Sequence, residues 1–511
     1  MTLNWLDISV FLMFIFIVVG ISLYKSRREK TSEDYFLASR WLPWWLIGFS
    51  LIAANISTEQ FVGMNGSAAG AVGLAIASYD WIAAITLVFV AIYFLPKFLR
   101  IGIFTLPEYL EHRYNPLARG IMAFYTIIIY VAVTIAAVLY SGGLTLHTIF
   151  DIDLTMAVWA IGFIAALYTT WGGLKAVAWA DLFQGSALII GGLCVAIFGF
   201  VAVGGVSSFM QHNSDKLHVF LPGDHPELPW TALLIGLWIP NLYYWGLNQY
   251  IAQRTLAARN LKHGQLGIIM AGGIQVFLPL IIVIPGIMAH QLYAGQMSTS
   301  DAAFPLLIRH LIPAGLRGFI FAAIAGAVIS SLASMLNSAS TILTMDLYKR
   351  HLNKDASSFV LISFGRIATI VFVVIGCVIA PQLGDPRFRG IFHYIQDFQG
   401  YISPGILAAF LFGMIFKRAP SSAGVAALIL GVPVYGILHL PRFAHIAFLN
   451  KMAISFSIIV LAMSVITWMR PLDEPKIMAA RTPTEVKTSP IVYLFGAIVV
   501  IATLSCYVIF R

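Results

Sequence analysis

The chain has 511 residues, of which 59% are hydrophobic and 10% are charged, and its mean hydropathy is +0.87. Soluble domains carry about 25% charged residues, so this composition excludes a soluble protein and indicates a polytopic membrane protein. The net charge of +9 comes from short basic clusters between apolar stretches, which argues against a nucleic-acid interface.

About twenty apolar residues span a bilayer, and on that rule the chain contains about fourteen predicted transmembrane helices. They lie near 5–24, 42–70, 77–99, 119–147, 152–171, 178–204, 229–251, 264–292, 317–345, 358–382, 390–416, 421–440, 449–469 and 489–510. Most basic residues fall in the connections after odd-numbered spans. Because positive charge collects on the cytoplasmic side, these connections are predicted to be cytoplasmic and both termini extracellular.

The second span carries many polar residues at membrane depth. Its central stretch, residues 50–66, reads SLIAANISTEQFVGMNG. Polar side chains at this depth need a protein interior or a wet cavity, and backbone groups must be satisfied internally. A break in this helix would free carbonyl oxygens to bind a cation and side chains to bind a solute. We therefore interpret this stretch as half of a transport site.

The seventh span has a matching interruption. Residues 238–250 read WIPNLYYWGLNQY, in which Pro240 and Gly246 flank a tyrosine pair. Secondary transporters often contain two inverted five-helix repeats, each opening with a broken helix that lines a midplane site. We therefore predict an all-α fold in which spans 2–6 and 7–11 are inverted repeats with broken first helices.

This interpretation divides the chain into five parts. They are a peripheral first helix with a cytoplasmic loop at 1–41, the first repeat at 42–204, an extracellular loop at 205–228, the second repeat at 229–416 and peripheral C-terminal helices at 417–511.

Six sequence blocks carry a resemblance to a known family. In chain order they are LIAANISTEQFVGMNG, IASYDW, GGLKAVAWADLFQG, NLYYWGLNQYIAQRTLAA, AVISSLASMLNSASTILTMDLYK and YIQDFQGYISPGIL. Together they resemble the sodium/solute symporter family, and most of all its sodium/sugar (glucose–galactose type) branch. The resemblance covers nearly the whole chain and implies the LeuT-like fold of two inverted repeats.

The resemblance also implies a sodium site. Its ligands would be the carbonyl oxygens of Ala53, Ile56 and Ala327 and the hydroxyls of Ser330 and Ser331. Neutral oxygens at a helix break suit a small monovalent cation, because partial dipoles bind it without a buried carboxylate. Asp181 lies close to the predicted inner face. It is either a surface anchor or a residue near an exit path or a second cation site.

The family's sugar site corresponds to Asn55, Gln60, Tyr79, Asp80, Ala83, Asn241, Tyr244, Gln275 and Gln396. Side-chain amides suit hydroxyl-rich solutes because each offers both a donor and an acceptor. In the same resemblance Tyr244 is an inner gate, while Met64 and Phe392 form an apolar outer lid.

Three positions depart from the galactose-type pattern. The chain has Asp80 where the family commonly has Glu, Ala83 where it has Ser, and Gln275 where it has Lys. These changes shorten one acceptor, remove one hydroxyl and remove one cation. We therefore predict a neutral hexose other than galactose, with mannose as the first candidate and glucose as the second.

Other functions stay open. The chain could be a sodium symporter for another polar solute, such as a polyol, sialic acid or an amino acid. A proton-coupled transporter would centre on Glu59. A membrane-embedded sensor or enzyme would need a soluble output domain or a catalytic constellation, and the sequence suggests neither.

We expect sodium to be the coupling ion. The expected partners are a small-molecule sugar and the lipid bilayer, with no nucleic acid among them. The expected location is a bacterial inner membrane.

Overall fold

The computed structural model of the chain describes residues 5–26, 37–56, 59–150, 152–297, 299–384, 391–478 and 487–511. Within these ranges the regular structure is helical, apart from two isolated β-bridges. The α-helices are α1 (Trp5–Ser26), α2 (Trp44–Asn55), α3 (Asn65–Ala69), α4 (Ser78–Phe89), α5 (Leu95–Ile101), α6 (Leu106–Arg113), α7 (Pro116–Ile128), α8 (Ala136–Phe150), α9 (Leu154–Ala202), α10 (Gly205–His212), α11 (Trp238–Leu247), α12 (Gln249–Leu256), α13 (Leu261–Tyr293), α14 (Ala303–Leu311), α15 (Leu316–Ile342), α16 (Ser358–Ile379), α17 (Ile391–Gln399), α18 (Ser403–Ile415), α19 (Ser421–Ile437), α20 (Phe448–Met469) and α21 (Pro490–Ile509).

Wider π-helical turns join several of these helices. They occur at Glu59–Met64, Val90–Phe94, Ile129–Ile135, Ala232–Gly236 and Leu343–Leu352. Such turns often occur at functional sites, because they redirect side chains within an otherwise regular helix. Two of them, Glu59–Met64 and Ile129–Ile135, contribute to the cavity described below.

Nine helices of the described chain are long and apolar enough to cross a membrane, or ten if the pair α17 and α18, bent by 45°, counts as one span. Four shorter apolar helices occupy the remaining predicted positions: Trp44–Asn55, Leu154–Leu167, Ala232–Leu247 and Ser421–Ile437. The chain is therefore an integral, multi-pass membrane protein. The count of fourteen spans and the limits of the five parts stay predictions.

One connection differs from the prediction. The predicted fifth and sixth spans, 152–171 and 178–204, belong to a single helix, α9, whose 49 residues continue through the expected loop. Helix α9 begins where the Asp153 side chain accepts a hydrogen bond from the Met156 amide. The glycines and lysine between the two apolar stretches do not end it, and no proline removes a helical hydrogen bond there.

The first predicted break is confirmed. Helix α2 ends at Asn55, and Ile56 leaves the helical conformation with φ −75° and ψ 83°. The chain resumes as the π-helical turn Glu59–Met64. The last four carbonyl groups of a helix have no partner within it, so this end presents free backbone oxygens inside the protein.

The second break is confirmed, and it lies within the predicted stretch 238–250. Pro240 lies in the first turn of α11, where a helix tolerates proline. Gly246 allows α11 to pack closely against another helix, since a Cβ there would come within 2.6 Å of the Phe94 ring. The interruption falls at Asn248, which is extended with φ −84° and ψ 124°, between α11 and α12.

Small residues bring three helices together beside the first break. A Cβ on Gly185 of α9 would come within 2.8 Å of the Ala53 Cβ in α2. A Cβ on Gly326 of α15 would come within 2.8 Å of Gln184 in α9. Close backbone approach through small residues is the usual way in which helices pack in membranes. The first break therefore lies where α2, α9 and α15 converge.

Candidate substrate cavity and cation site

A cavity of about 60 Å³ lies between the two breaks. It is lined by Asn55, Gln60, Met64, Tyr79, Asp80, Ala83, Thr134, Pro240, Asn241, Tyr244, Trp245, Tyr250, Gln275, Phe392, Ile395, Gln396 and Gln399. Every residue predicted for the sugar site and its gates is in this set.

A chain of hydrogen bonds joins three of the polar residues. The Gln275 Nε2 donates to the Asp80 Oδ1 at 2.5 Å. The Asn55 Nδ2 donates a longer bond of 3.5 Å to the Gln275 Oε1. Asp80 and Gln275 are each 1% exposed. The amide of Gln275 thus uses both its groups within the protein and holds the Asp80 carboxylate in place.

Three buried oxygens facing this region have no hydrogen-bond partner among the described residues. They are the Asp80 Oδ2, the Gln60 Oε1 and the Gln396 Oε1. A buried polar atom without a partner is costly, by about 1–3 kcal/mol, so a bound solute that donates to these three oxygens would be stabilised. All three are hydrogen-bond acceptors. The cavity therefore suits a solute that donates several hydrogen bonds.

Tyrosines close one side of the cavity, next to the second break. The Tyr250 hydroxyl donates to the Tyr244 hydroxyl at 2.7 Å, and the two rings are 5.8 Å apart. The Tyr130 hydroxyl donates to the Asn248 Oδ1 and accepts a bond of 3.2 Å from the Tyr250 amide. The predicted inner gate is thus tied to the break through neighbouring tyrosines.

Aromatic and apolar side chains form another part of the lining. The Phe392 ring meets the Tyr79 ring edge to face, with centroids 4.9 Å apart. A Cβ on Gly63 would come within 2.8 Å of the Phe392 Cβ, so a glycine is needed for this approach. Met64 is 1% exposed beside them. Phe392, Tyr79 and Met64 therefore lie close together, as an outer lid requires.

Six residues of the lining were not among the predicted ones: Thr134, Pro240, Trp245, Tyr250, Ile395 and Gln399. Gln399 follows Gln396 by three residues in α17, and this spacing places both on one helix face. That spacing could have revealed Gln399 in the sequence. Thr134 had no local signal, because it lies in the π-helical turn of a span that reads as uniformly apolar.

The predicted sodium ligands lie at the convergence of α2 and α15. Ser330 and Ser331 are fully buried in α15. The Ser331 Oγ has no hydrogen-bond partner among the described residues. Ala53 and Ile56 stand at the end of α2, where helical carbonyls lack intrahelical partners. Ala327 lies one turn before Ser331 in α15.

Asp181 is fully buried, so the surface-anchor interpretation is wrong. Its carboxylate accepts hydrogen bonds from Ser50 and Ser330 and pairs with the Arg254 guanidinium at 2.9 Å. Arg254 also donates to the Ser334 Oγ at 2.5 Å. Paired charges of this kind are the usual form in which ionised groups are buried. Because the Ser330 hydroxyl gives its hydrogen to Asp181, its lone pairs remain available for other contacts.

Glu59, on which a proton-coupled alternative would depend, begins the π-helical turn after the first break. Its side chain lies outside the described part of the structure.

An all-helical membrane protein with two broken helices around a polar cavity belongs, by fold and site, to the class of ion-coupled secondary transporters. The Sodium:solute symporter family matches residues 35–431, so the chain belongs to that family. Sodium is accordingly its coupling ion and a small molecule its substrate.

The chain is 40% identical over 507 residues to a sodium/glucose cotransporter of Vibrio parahaemolyticus, covering 93% of this chain and 92% of the relative. It is 32% identical to a human sodium/myo-inositol cotransporter 2, covering 83% of this chain and 68% of that protein. A solved sodium-coupled sialic acid symporter in a substrate-bound, outward-open state superposes with a TM-score of 0.82 at 22% identity, over 92% of this chain and 99% of the other. This similarity confirms the predicted LeuT-like fold.

Proposed function

We propose that the protein imports a neutral monosaccharide together with sodium by alternating access. The observation that carries this proposal is the set of unpartnered acceptors, the Asp80 Oδ2, Gln60 Oε1 and Gln396 Oε1. A sugar donates one hydrogen bond from each hydroxyl and can satisfy several acceptors at once. The Tyr244 and Phe392 rings, both in the cavity lining, offer apolar surfaces against which a pyranose ring can pack.

The charge of the cavity favours a neutral solute. Asp80 is the only carboxylate among the described lining residues, and no lysine or arginine is among them. An anionic solute such as sialic acid would face Asp80 without a compensating cation, and an anion needs such a cation or a helix N-terminus. The sialic acid symporter matched above is therefore a guide to the fold rather than to the substrate of this chain.

The Asp80–Gln275 pair is our main argument for a hexose other than galactose. A lysine at 275, as in the galactose-type pattern, would meet Asp80 as a cation, whereas Gln275 donates one neutral hydrogen bond of 2.5 Å. Ala83, beside them, offers no hydroxyl. These differences change which sugar hydroxyls can be paired. Each mismatch would cost about 1–3 kcal/mol, enough to separate epimers by one to two orders of magnitude. Mannose stays our first candidate and glucose our second.

The sodium ligands are proposed to be the carbonyls of Ala53, Ile56 and Ala327 with the hydroxyls of Ser330 and Ser331. The support is the unpartnered Ser331 Oγ beside the open end of α2. The bacterial relative at 40% identity supports a bacterial inner membrane as the location.

The test is sodium-driven uptake into proteoliposomes, competed by mannose, glucose, galactose, myo-inositol, sialic acid and proline. We expect mannose or glucose to compete best and sialic acid and proline to be at least about tenfold weaker, a difference of roughly 1.4 kcal/mol. Strongest competition by sialic acid or an amino acid would overturn the neutral-sugar proposal.

The hexose assignment has a separate test. The triple variant Asp80→Glu, Ala83→Ser, Gln275→Lys is expected to shift preference toward galactose or glucose. Ala84→Ser adds the same hydroxyl at a buried neighbour outside the lining and serves as its control. If galactose is already the preferred sugar of the unmodified protein, our interpretation of the three positions is wrong, while sodium-coupled transport would stand.

A further inference from the structure

A second groove lies on the lipid-facing side of the protein and shares no residue with the substrate cavity. It has a volume of about 410 Å³ and is lined by Phe163, Ala166, Leu167, Thr170, Arg366 and Ile370. The first four belong to α9 and the last two to α16. Phe163 is 66% exposed and Ile370 51%. The groove is therefore open toward the bilayer.

The groove forms because α9 and α16 touch at one level and separate below it. At the contact, a Cβ on Gly162 would come within 2.3 Å of the Cys377 Sγ and 3.2 Å of Val373. From that level, residues 163–170 of α9 and 370–366 of α16 run toward the predicted cytoplasmic side and line the open space. The Thr170 hydroxyl donates to the Ala166 carbonyl of its own helix. The surface of α9 that faces the groove is therefore mainly apolar. The walls thus resemble a slot for an acyl chain.

Arg366 is the one charged group in the lining, and it is exposed. It lies eight residues after Ser358, at about 12 Å along a helix that is apolar enough to span the membrane. None of the described acidic residues forms a salt bridge with it. A guanidinium on the lipid-facing side extends toward the interface and needs an anion there. Arginine matches the geometry of a phosphate through bidentate hydrogen bonds.

We propose that this groove is a binding site for an anionic phospholipid of the cytoplasmic leaflet. The phosphate binds the Arg366 guanidinium and one acyl chain lies along Phe163, Leu167 and Ile370. Basic pockets between transmembrane helices on the cytoplasmic side recognise anionic headgroups in this way. A second copy of the chain is a poorer occupant, because packing an apolar helix here would bury the Arg366 charge without a partner.

The test is native mass spectrometry of the detergent-purified protein with phosphatidylglycerol or phosphatidylcholine added at equal concentration. We expect the wild-type protein to retain phosphatidylglycerol at least fivefold better. Arg366→Gln is expected to lose that preference, and Arg366→Lys to keep part of it. Arg470→Gln removes an exposed arginine at the end of α20, outside the groove, and is expected to leave lipid binding unchanged.

Two further measurements separate the alternatives. Ala166→Trp is expected to fill the groove and reduce phosphatidylglycerol binding although Arg366 remains. Inorganic phosphate is expected not to displace the lipid, because it lacks the acyl chain. The proposal is overturned if Arg366→Gln and wild type bind phosphatidylglycerol equally, if phosphatidylcholine binds as well, if free phosphate displaces the lipid, or if the wild type forms dimers that Arg366→Gln or Ala166→Trp abolishes.

Discussion

The breaks at Ile56 and Asn248 interrupt helices at matching positions of the two predicted repeats, but their polar groups are in opposite situations. At Ile56 the end of α2 points into a region where the Ser331 hydroxyl has no partner among the described residues. At Asn248 the side-chain oxygen and the following Tyr250 amide are both bonded to the Tyr130 hydroxyl. Among the described residues, the first break thus leaves a hydroxyl without a partner, whereas a tyrosine closes the second.

The difference shows how one topology can serve two purposes. A helix break exposes carbonyl and amide groups that must find partners inside a membrane protein. A tyrosine hydroxyl supplies a permanent partner, which fixes the chain and positions Tyr244 through Tyr250. A cation supplies a partner that can leave. We therefore expect sodium binding to change the structure at the first break and to leave the structure at the second break unchanged.

Ser331→Ala is expected to have the largest effect, because it removes a hydroxyl beside the first break that has no partner among the described residues. Sodium-driven uptake is expected to fall about a hundredfold, a loss of roughly 2.7 kcal/mol, with normal expression and thermal stability. Ser340→Ala is the control, since that hydroxyl lies in the same helix and donates to the Asn337 carbonyl at 3.0 Å. Wild-type uptake with an unchanged sodium dependence in Ser331→Ala would remove the serine from the cation site.

Tyr244→Ala tests the closed break from the side of the cavity. It deletes both a surface for the sugar ring and the partner of the Tyr250 hydroxyl, so concentrative uptake is expected to fall at least about tenfold. Tyr244→Phe keeps the ring and is expected to retain much of the activity. The sodium dependence of the residual uptake is expected to stay that of the wild type. Equal uptake by all three proteins would make Tyr244 an ordinary packing residue.

Tyr130→Phe removes the hydroxyl that closes the second break. It leaves the Asn248 oxygen and the Tyr250 amide without that partner, which is expected to reduce stability by about 1–3 kcal/mol. Thermal denaturation in detergent measures this loss. Tyr243→Phe is the matched control, because the buried Tyr243 hydroxyl has no hydrogen-bond partner among the described residues. Removing it is expected to be neutral or stabilising. If sodium restored the stability of Tyr130→Phe, a cation could replace the tyrosine and the contrast between the breaks would not hold.

The smallest expected effect concerns the bend between α17 and α18, a third interruption that is also tied by side chains. The His439 Nε2 lies 3.0 Å from the Asp397 Oδ1, which also accepts a bond from Tyr435. The hydrogen bond with Asp397 raises the pKa of His439 above its usual 6.5, although nearby Lys451 opposes this.

Because the pKa of His439 is raised in the folded protein, the stabilisation is present below about pH 6.5 and is lost as the pH rises through the folded value. The melting temperature of the wild type is expected to fall slightly between pH 6 and pH 9. In His439→Gln this part of the pH dependence is expected to disappear. An identical pH profile in both proteins would show that the pair contributes nothing measurable.

Hydropathy and local polarity sufficed to predict the membrane class and the two broken helices, because each depends on residues close together in the chain. Resemblance to the sodium/sugar branch indicated which side chains line the cavity, and the structure places all of them there. The continuous helix α9 was mispredicted. Within the second broken stretch, the sequence did not show that Gly246 would serve helix packing while the chain direction changes at Asn248.

Only the tertiary structure decided which polar atoms are free. Gln275 meets Asp80 across 195 residues, Tyr130 meets Asn248 across 118 and Arg254 meets Asp181 across 73. Each of these pairs satisfies groups that the sequence alone would leave available to a ligand. The acceptors of Asp80, Gln60 and Gln396 and the hydroxyl of Ser331 are different, because packing brings none of the described residues within hydrogen-bond reach of them. Hydrogen-bond pairing inside a membrane protein depends on how distant helices meet, and no local pattern records it.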